Sequence, residues 1–455
     1  MTSVDATADA STSRYLSGNH APVHEELTAF DLPVTGTVPA ELEGRYLRIG
    51  PNPVGPVDPA SYHWFTGDGM AHGVRLRGGK AEWYRNRWVR SERVSAALGE
   101  EPAPGERHAG MDTANTNIIG LDGRTYAIVE AGGRPVELGY ELDTIAHVDF
   151  GGTLPNGFTA HPKRDPQSGE LFAAAYFWGL DHIQYIVVGT DGRVRKLEPI
   201  SVKGSPMMHD MSLTERHAVI YDLPVTFNME IASTGGFPYA WDEGYGARVG
   251  VLPREGTDAD VKWFDVEPCY VFHPLNAYDD GDRVVLDVVR HPRIFDQDRL
   301  GPNDGAPSLW RWTVDIAGGA VKEEQLEDRA EEFPRVDERV VSRPHRYGYA
   351  ASLSVGDDVG FDGSELLKHD FTAGAVEAHN YGPGRSTAEG VFVPRAADAA
   401  EDDGWVMSYV YDASTDRSDL VILDAQDIAG DPVASIHLPA RVPVGFHGNW
   451  VPDGA

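Results

Sequence analysis

The sequence predicts an all-β fold and, within that class, a β-propeller. Glycine and proline are plentiful, at 50 and 31 residues, and turn signals followed by short β-rich runs recur along the whole chain of 455 residues. In addition, one hairpin-like unit is repeated several times. Repeated units of this kind are typical of small sheets that stack around a common axis.

The predicted strands are alternating runs of β-branched, aromatic and polar residues that follow turn signals. Examples in chain order are "LDGRTYAIVEAG" from residue 121, "SGELFAAAYFW" from 168, "TDGRVRKLEPI" from 190, "GDRVVLDVVR" from 281 and "DGWVMSYVYD" from 403. Helical patterns are scarce. "SERVSAALGE" from residue 91 predicts a short helix, and "KEEQLEDRAEEF" from 322 predicts either a short helix or a charged loop.

The repeated unit begins with a histidine and continues through a polar turn into a strand. His161 starts it in "TAHPKRDPQSGELFAAAYF", His209 in "MMHDMSLTERHAVIYDLP" and His273 in "VFHPLNAYDDGDRVVLDVVR". Glu389 takes the first position in a fourth copy, "TAEGVFVPRAADAAEDDGWVMSYVY". The spacing of the copies is irregular, so the number of blades does not follow from it.

The repeat predicts a metal site, because equivalent positions of successive blades point towards one central axis. Three imidazoles that converge there favour a first-row transition metal. His447 in "VGFHGNW", near the C-terminus, is a fourth candidate ligand on a closing strand. Cys269 is the only cysteine, which excludes thiolate-rich zinc and iron–sulfur sites as well as intramolecular disulfides.

Composition excludes several classes of function. The formal net charge of -32 disfavours binding to nucleic acid and polybasic adhesion to anionic lipid. No run approaches the roughly 18 apolar residues of a membrane span, and no G-x-G-x-x-G fingerprint indicates a nicotinamide or flavin cofactor. Residues 1–20, "MTSVDATADASTSRYLSGNH", lack the pattern of a signal peptide. We therefore expect a disordered leader over residues 1–20, one domain over residues 21–455 and a cytoplasmic location.

Eight motifs occur in the order found in one known family. They are "LEGRYLRIGPNPV" from residue 42, "WFTGDGMAHGVRL" from 64, "TAHPK", "MHDMSLT", "FHPLNAY", "EFPRVD", "AEGVFVPR" and "GFHGNW". Over nearly its whole length the chain resembles the carotenoid cleavage oxygenases, which include apocarotenoid oxygenases, stilbene-cleaving dioxygenases and the isomerase of the retinal pigment epithelium. Motifs of this specificity, all in family order, do not arise by chance.

The resemblance implies a seven-bladed propeller with loops and short helices covering one face and one Fe(II) on its axis. The ligands that it implies are His161, His209, His273 and His447. It also implies three glutamates that accept the second N–H of the imidazoles and so fix the tautomer and orientation of each ring. These are Glu130 for His209, Glu332 for His273 and Glu389 for His447, with Glu331 as the alternative to Glu332.

The activity implied by the resemblance is the cleavage of a C=C bond of a carotenoid or apocarotenoid by O2 to give two carbonyl products. Val129 stands immediately before Glu130, where stilbene cleavers of the family have a lysine, and Trp88 stands where we match their tyrosine. Both differences favour an apolar polyene over a stilbene or another phenylpropanoid alkene, which is the alternative substrate class. Val129 is predicted either to line the open face of the metal or to pack in the core.

A polyene requires a dry cavity with aromatic walls. Residues 227–253, "FNMEIASTGGFPYAWDEGYGARVGVLP", are rich in aromatic residues and glycine and are predicted to cover the substrate cavity. Phe65 and Trp178 lie beside family motifs and are candidates for its wall. For partners, we expect an apolar polyene, no nucleic acid, at most peripheral membrane contact, and a monomer or weak homo-oligomer.

Three other classes of function are compatible with a propeller. The retinoid isomerase of the resembled family keeps the same histidines and glutamates yet cleaves an ester, so the ligand set leaves an isomerase open. A calcium-dependent propeller would need carboxylates and asparagines on the axis rather than imidazoles. A propeller that only binds partner proteins would leave the phased histidines without a role.

Overall fold

The computed structural model describes residues 13–302, 304–355, 359–361 and 363–453. Strands dominate this part of the chain. In the first half they are β1 (Thr28–Phe30), β2 (Val34–Gly36), β3 (Gly44–Pro51), β4 (Gly69–Arg77), β5 (Lys80–Trp88), β6 (Asn117–Leu121), β7 (Arg124–Ile128), β8 (Val136–Leu138), β9 (Thr144–His147), β10 (Lys163–Arg164), β11 (Leu171–Ala175), β12 (His182–Val188), β13 (Val194–Ser201), β14 (Met211–Leu213), β15 (His217–Asp222), β16 (Val225–Phe227), β17 (Tyr239–Trp241) and β18 (Arg248–Pro253).

The second half continues the same pattern of short strands. They are β19 (Lys262–Asp265), β20 (Pro274–Asp280), β21 (Arg283–Arg290), β22 (Ser308–Asp315), β23 (Ala320–Gln325), β24 (Glu331–Arg335), β25 (Tyr347–Ser352), β26 (Ser354–Val355), β27 (Val359–Gly360), β28 (Glu365–Asp370), β29 (Ala375–Asn380), β30 (Arg385–Thr387), β31 (Val391–Pro394), β32 (Gly404–Asp412), β33 (Arg417–Asp424), β34 (Ala434–His437) and β35 (Gly448–Pro452).

Helices are few and short. The α-helices of the described residues are α1 (Glu92–Leu98) and α2 (Met229–Ser233). Single turns of 3-10 helix occur at Arg14–Leu16, Gly18–His20, Trp64–Thr66, Asp258–Asp260, Glu338–Val340 and Ala425–Asp427. Within the described part of the chain, no helix has the length and apolar character needed to cross a bilayer.

Seven antiparallel sheets of four to six strands form the blades of the propeller, which confirms the predicted fold. In blade order they are β6-β7-β8-β9, β10-β11-β12-β13, β14-β15-β18-β19, β20-β21-β22-β23, β24-β25-β28-β29, β2-β34-β33-β32-β30 with β31 also on β32, and β1-β5-β4-β3-β35. The hairpins β16-β17 and β26-β27 are insertions outside the blades.

The two ends of the chain close the ring together. The C-terminal strand β35 pairs with β3, from Gly44 opposite Pro452 to Arg48 opposite Gly448. The N-terminal strand β2 pairs with β34 of the preceding blade. Two blades therefore combine strands from both ends of the chain, which ties the first and last blades together and closes the ring.

Packing between the blades explains why many strands are continuous apolar runs rather than strictly alternating ones. Every residue of β3, β11 and β14 is buried, because both faces of these sheets contact neighbouring sheets. Trp312 and Trp405 are among the largest side chains that are fully buried. This packing gives the ring a rigid interior around its axis.

Two sequence-based expectations need correction. The segment "KEEQLEDRAEEF" forms neither helix nor loop alone, because its ends belong to β23 and β24. Residues 1–12 lie outside the described residues, but residues 13–20 are not a disordered leader. Tyr15 is buried and stacks on Trp64, with ring centroids 5.7 Å apart, so aromatic packing orders this segment.

The short helix predicted around residue 91 is present as α1. The single domain over residues 21–455 stays a prediction.

Candidate metal centre

Four histidines occupy equivalent positions in their blades, next to the central axis. Each of them lies just before an edge strand of its blade, the one nearest the axis. His161 precedes β10, His209 precedes β14, His273 precedes β20 and His447 precedes β35. All four are buried. One ring nitrogen from each lies within 4.8 Å of the corresponding atoms of the other three. The structure therefore brings together all four predicted ligands.

A close approach of the backbone admits His447 to this cluster. A Cβ atom added to Gly50 in β3 would lie 2.4 Å from the Cα of Gly445. Only glycine fits at such a contact. The "VGFHGNW" segment can therefore run against β3 and direct His447 towards the axis.

Three of the imidazoles contact the glutamates that the sequence indicated. The Nδ1 of His209 lies 2.9 Å from Glu130, the Nδ1 of His273 lies 2.6 Å from Glu332, and the Nδ1 of His447 lies 2.9 Å from Glu389. Each Nδ1–H donates to a carboxylate, so in the neutral ring the Nε2 carries a lone pair. This tautomer is the one that presents Nε2 to a cation.

Backbone strain accompanies two of these glutamates. Ala131, directly after Glu130, has φ 59°, and Phe333, directly after Glu332, has φ 54°. Non-glycine residues seldom adopt this left-handed conformation, and those that do are concentrated at functional sites. In β24 the pairing register shifts between Glu332 and Arg335. A bulge of this kind re-aims a side chain.

Two of the three glutamates, Glu332 and Glu389, are held by further partners. Glu332 also accepts a hydrogen bond from the Nε2 of buried His291 at 2.8 Å. Glu389 accepts one from the backbone N–H of Gly448 at 2.9 Å and pairs with Arg335 at 3.2 Å. Burial opposes ionisation of Glu389, but Arg335 and His447 outweigh it and lower the pKa of this carboxyl to about 2.

Glu331, next to Glu332 in the sequence, contacts a different histidine. Glu331 is buried and lies 2.9 Å from the Nε2 of His369, away from the four-histidine cluster. Glu332 makes the contact with His273. The sequence left open whether Glu331 or Glu332 contacts His273, and in the structure it is Glu332.

The fourth histidine differs from the other three. The Nδ1 of His161 is 3.8 Å from the nearest oxygen of Asp210, beyond hydrogen-bonding distance, and Asp210 is itself paired with Lys163 at 2.7 Å. The Nε2 of His161 is buried without a hydrogen-bond partner among the described residues. Burial, followed by the three neighbouring imidazoles, holds the pKa of His161 well below its usual range. A neutral buried imidazole with an unpaired nitrogen fits a metal ligand.

Two cavities that differ in polarity meet at this cluster, and His273 and His447 line both of them. The axial cavity, of about 710 Å³, is the more polar of the two and includes Lys163, Asp210 and Arg335 in its wall. The second cavity, of about 380 Å³, lies under the cover. Nine aromatic residues line the second cavity: Trp64, Phe65, Tyr176, Phe237, Tyr239, Phe272, Phe333, Phe361 and Phe446.

The predicted wall residues are placed as follows. Val129 and Phe65 line the apolar cavity, and Phe237 and Tyr239 of the predicted cover segment do so as well. Trp178 does not line it, because its side chain is 48% exposed and stacks on Phe227. Trp88 is buried elsewhere, where its indole N–H donates to the carbonyl of Asn52 at 2.8 Å, so it does not mark a position in the cavity.

Sequence reasoning missed several residues of the site. Tyr176 and His291 carry no signal of their own, since each lies in an ordinary strand-like or turn-like run, whereas Asp210 belongs to the "MHDMSLT" motif. Arg335 and Phe333 belong to the "EFPRVD" motif, so the motif itself was the available signal. Their partners come from other blades, and spacing within one repeat does not reveal such contacts.

Comparison with known proteins agrees with this geometry. The family model described as "Retinal pigment epithelial membrane protein" matches residues 20–452. A carotenoid cleavage oxygenase of Mycobacterium tuberculosis is 48% identical, over 98% of this chain and 99% of the relative. The chain belongs to the carotenoid cleavage oxygenase family. Its membership confirms the resemblance seen in the motifs and the prediction of an oxidoreductase.

Solved structures of the carotenoid cleavage oxygenase family share the fold. The lignostilbene dioxygenase of Pseudomonas brassicacearum superposes with a TM-score of 0.88 at 29% identity, covering 97% of this chain and 99% of the other. A cobalt-substituted apocarotenoid oxygenase of Synechocystis gives 0.84 at 27% identity, covering 95% and 97%. These two relatives are named for different alkene substrates, so the fold alone does not select the substrate.

Proposed function

We propose that this protein is an Fe(II)-dependent dioxygenase that cleaves a C=C bond of a carotenoid or apocarotenoid with O2 into two carbonyl compounds. One observation carries the proposal: four buried imidazoles converge on one point, and three of them line the inner end of an aromatic cavity. The ligand chemistry and the shape of the cavity point to the same reaction class.

The proposed ligands are the Nε2 atoms of His161, His209, His273 and His447. Imidazole nitrogens suit divalent iron, and a set of four leaves coordination positions open on an octahedral ion. Bound iron would supply the capacity to reduce and activate O2. The proposed role of Glu130, Glu332 and Glu389 is to hold the Nδ1 protons and to offset the charge of the cation in a buried site.

An apolar polyene fits the cavity better than a phenolate. The part of the wall that the structure describes contains no lysine or arginine, and Val129 occupies the position next to Glu130. A buried phenolate would need a compensating cation, whereas a hydrocarbon chain needs only apolar contacts. The Mycobacterium tuberculosis relative at 48% identity is named for carotenoid cleavage, which supports the same class.

A stilbene or another phenylpropanoid alkene is the second candidate substrate. The lignostilbene dioxygenase of Pseudomonas brassicacearum, with a TM-score of 0.88, is the observation that favours it. The same metal site would serve either alkene. The two candidates differ only in how the cavity accommodates the substrate.

The decisive experiment reconstitutes the protein with Fe(II) and supplies isotopically labelled O2 with a panel of carotenoids, apocarotenals and hydroxystilbenes. We expect mass spectrometry to find two shorter carbonyl products from a polyene, with label in the carbonyl oxygens, and little turnover of hydroxystilbenes. Isomerised or hydrolysed product without label would indicate an isomerase. Cleavage of hydroxystilbenes alone would establish the second candidate.

The setting of the reaction is part of the proposal. We propose that the protein works in the cytoplasm as a monomer or weak homo-oligomer, without a nicotinamide or flavin cofactor. Exposed Met229 and Trp178 support at most peripheral contact with a membrane that supplies substrate. Sedimentation of the protein with and without neutral vesicles measures both the oligomeric state and the membrane contact.

A further inference from the structure

The four histidines divide between the two cavities. Of the two, His161 lines only the axial cavity, His209 lines only the apolar cavity, and His273 and His447 line both. The cluster can therefore be approached from two sides. The proposed function places an alkene in the apolar cavity, on one side of the cluster. It leaves the axial cavity, which is the larger one, without a role.

The axial cavity extends from the surface of the protein to the cluster. Its wall contains the buried His161, His273 and His447 as well as seven exposed residues, which are Asp122, Gly123, Arg124, Tyr140, Glu338, Pro452 and Asp453. Six water molecules at about 30 Å³ each fill roughly 180 Å³. The volume of about 710 Å³ therefore has room for a divalent cation that keeps its first hydration shell.

The buried carboxylates in the axial wall are each paired with a fixed cation. Asp210 lies 2.7 Å from the ammonium group of Lys163, and Glu389 lies 3.2 Å from the guanidinium group of Arg335. These pairs make the wall polar but leave neither carboxylate free to retain a passing metal ion. Such a wall suits passage, because an ion in transit must be able to leave each position as well as enter it.

The apolar cavity would oppose the passage of the same ion. Nine aromatic residues line it, and its described wall contains no lysine or arginine and few polar groups. An ion among aromatic rings would lose water without gaining polar contacts in return, and the desolvation of an ion is costly. An alkene bound in this cavity would also block it.

We propose that the axial cavity is the route by which a hydrated divalent cation enters the protein and reaches the four histidines. The inference rests on the proposed metal centre. Exposed Asp122 and Arg124 lie at the outer end of this route, in the turn between β6 and β7. Charges at the mouth of a cleft steer ions towards it. These two residues should therefore control the rate of metal uptake but not the amount of metal bound.

The test measures the rate at which the metal-free full-length chain takes up Co(II), followed by the visible absorption of the ion. Co(II) is a suitable probe, because the apocarotenoid oxygenase of Synechocystis has been solved in a cobalt-substituted form. Asp122→Cys places a thiol at the outer end of the axial cavity, and Thr66→Cys places one at an exposed wall position of the apolar cavity. The native Cys269 is fully buried and does not compete for thiol reagents.

Each introduced thiol is modified with a methanethiosulfonate that carries either a trimethylammonium or a sulfonate group. At residue 122 we expect the cationic group to slow Co(II) uptake at least about fivefold relative to the anionic group at low ionic strength. The difference should shrink in about 1 M salt, where the Debye length is about 3 Å. At residue 66 the two groups should give equal rates. All four proteins should bind the same final amount of Co(II), because no modification touches a histidine.

Arg124→Glu repeats the test without a thiol reagent. Arg124 is exposed and pairs with Glu137 at 3.2 Å, outside the cavity wall. Because the substitution adds negative charge at the outer end of the axial cavity, it should accelerate the uptake of Co(II). Should Asp122→Cys fail to fold, an unchanged rate in Arg124→Glu would overturn the inference by itself.

Other results would overturn the inference as well. Equal rates with both reagents at residue 122 would do so, and so would a charge effect at residue 66 in place of residue 122. A wild type that takes up no Co(II) contradicts the proposed metal centre itself. A wild type that takes up Co(II) at a rate independent of the charges at residues 122 and 124 contradicts only the proposed route.

Discussion

The Nε2 atoms of His209 and His273 face each other across the axis of the propeller at 3.2 Å. Both rings donate their Nδ1–H to a glutamate, so in the neutral form of each ring the Nε2 carries a lone pair. Two lone pairs at this distance repel each other, and a cation between them would turn the repulsion into coordination. A metal ion bound between these histidines would therefore stabilise the folded structure.

Removal of the metal should destabilise the protein. A ligand that binds only the native state adds about 2.7 kcal/mol to the unfolding free energy at 100 times its Kd. We expect chelation to lower the Tm of the wild type, and alanine at His161, His209, His273 or His447 to lower the metal content and abolish this shift. His182→Ala is the control, since His182 pairs with Asp181 at the surface. An alanine variant at the axis that keeps its metal would remove that histidine from the ligand set.

The two adjacent glutamates should respond differently to loss of charge. Glu332→Gln weakens the contacts with His273 and His291, and loss of such a partner typically lowers metal affinity or activity 10–100-fold. Glu331→Gln keeps an acceptor for His369 and should leave metal affinity unchanged. Isothermal titration with Fe(II) under anaerobic conditions compares the two variants. The reverse order of effects would move the assignment from Glu332 to Glu331.

A cation at position 129 should harm the cleavage of polyenes. Val129 lines the apolar cavity, and an ammonium group there would be desolvated among aromatic rings. We expect Val129→Lys to lower kcat/KM for an apocarotenal at least about tenfold, the effect of about 1.4 kcal/mol, whereas Val129→Leu should stay close to the wild type. Full activity of the lysine variant on the apocarotenal would show that the substrate does not pass Val129.

Acid should destabilise the protein through histidines that are buried in the neutral form. Burial, assisted by Arg48 and Arg441, lowers the pKa of His72 from 6.5 to about 3. Between these values the unfolded chain binds a proton that the native state does not, so the unfolding free energy falls as the pH drops below about 6.5. We expect His72→Gln to reduce this fall by up to about 1.4 kcal/mol per pH unit. Urea denaturation at several pH values checks the slope, and an unchanged slope would contradict the assignment.

The sequence by itself determined the fold class and most of the proposed metal site. Turn signals and β-rich runs are local properties, so they indicated an all-β chain without knowledge of its long-range contacts. The repeat placed His161, His209 and His273 at one phase of successive blades. His447 was a candidate from its place near the C-terminus, whereas Glu130, Glu332 and Glu389 followed from motifs shared with the family.

Only the tertiary structure decided which side chains meet. The pairing of His291 with Glu332, of Arg335 with Glu389 and of Lys163 with Asp210 joins segments that are far apart in sequence or in different blades. The same holds for Trp178, which lies at the surface instead of in the cavity wall. The physical reason is closure of the ring. Pairing of β35 with β3 fixes the positions of all seven blades, and no local pattern encodes the distances between side chains of different blades.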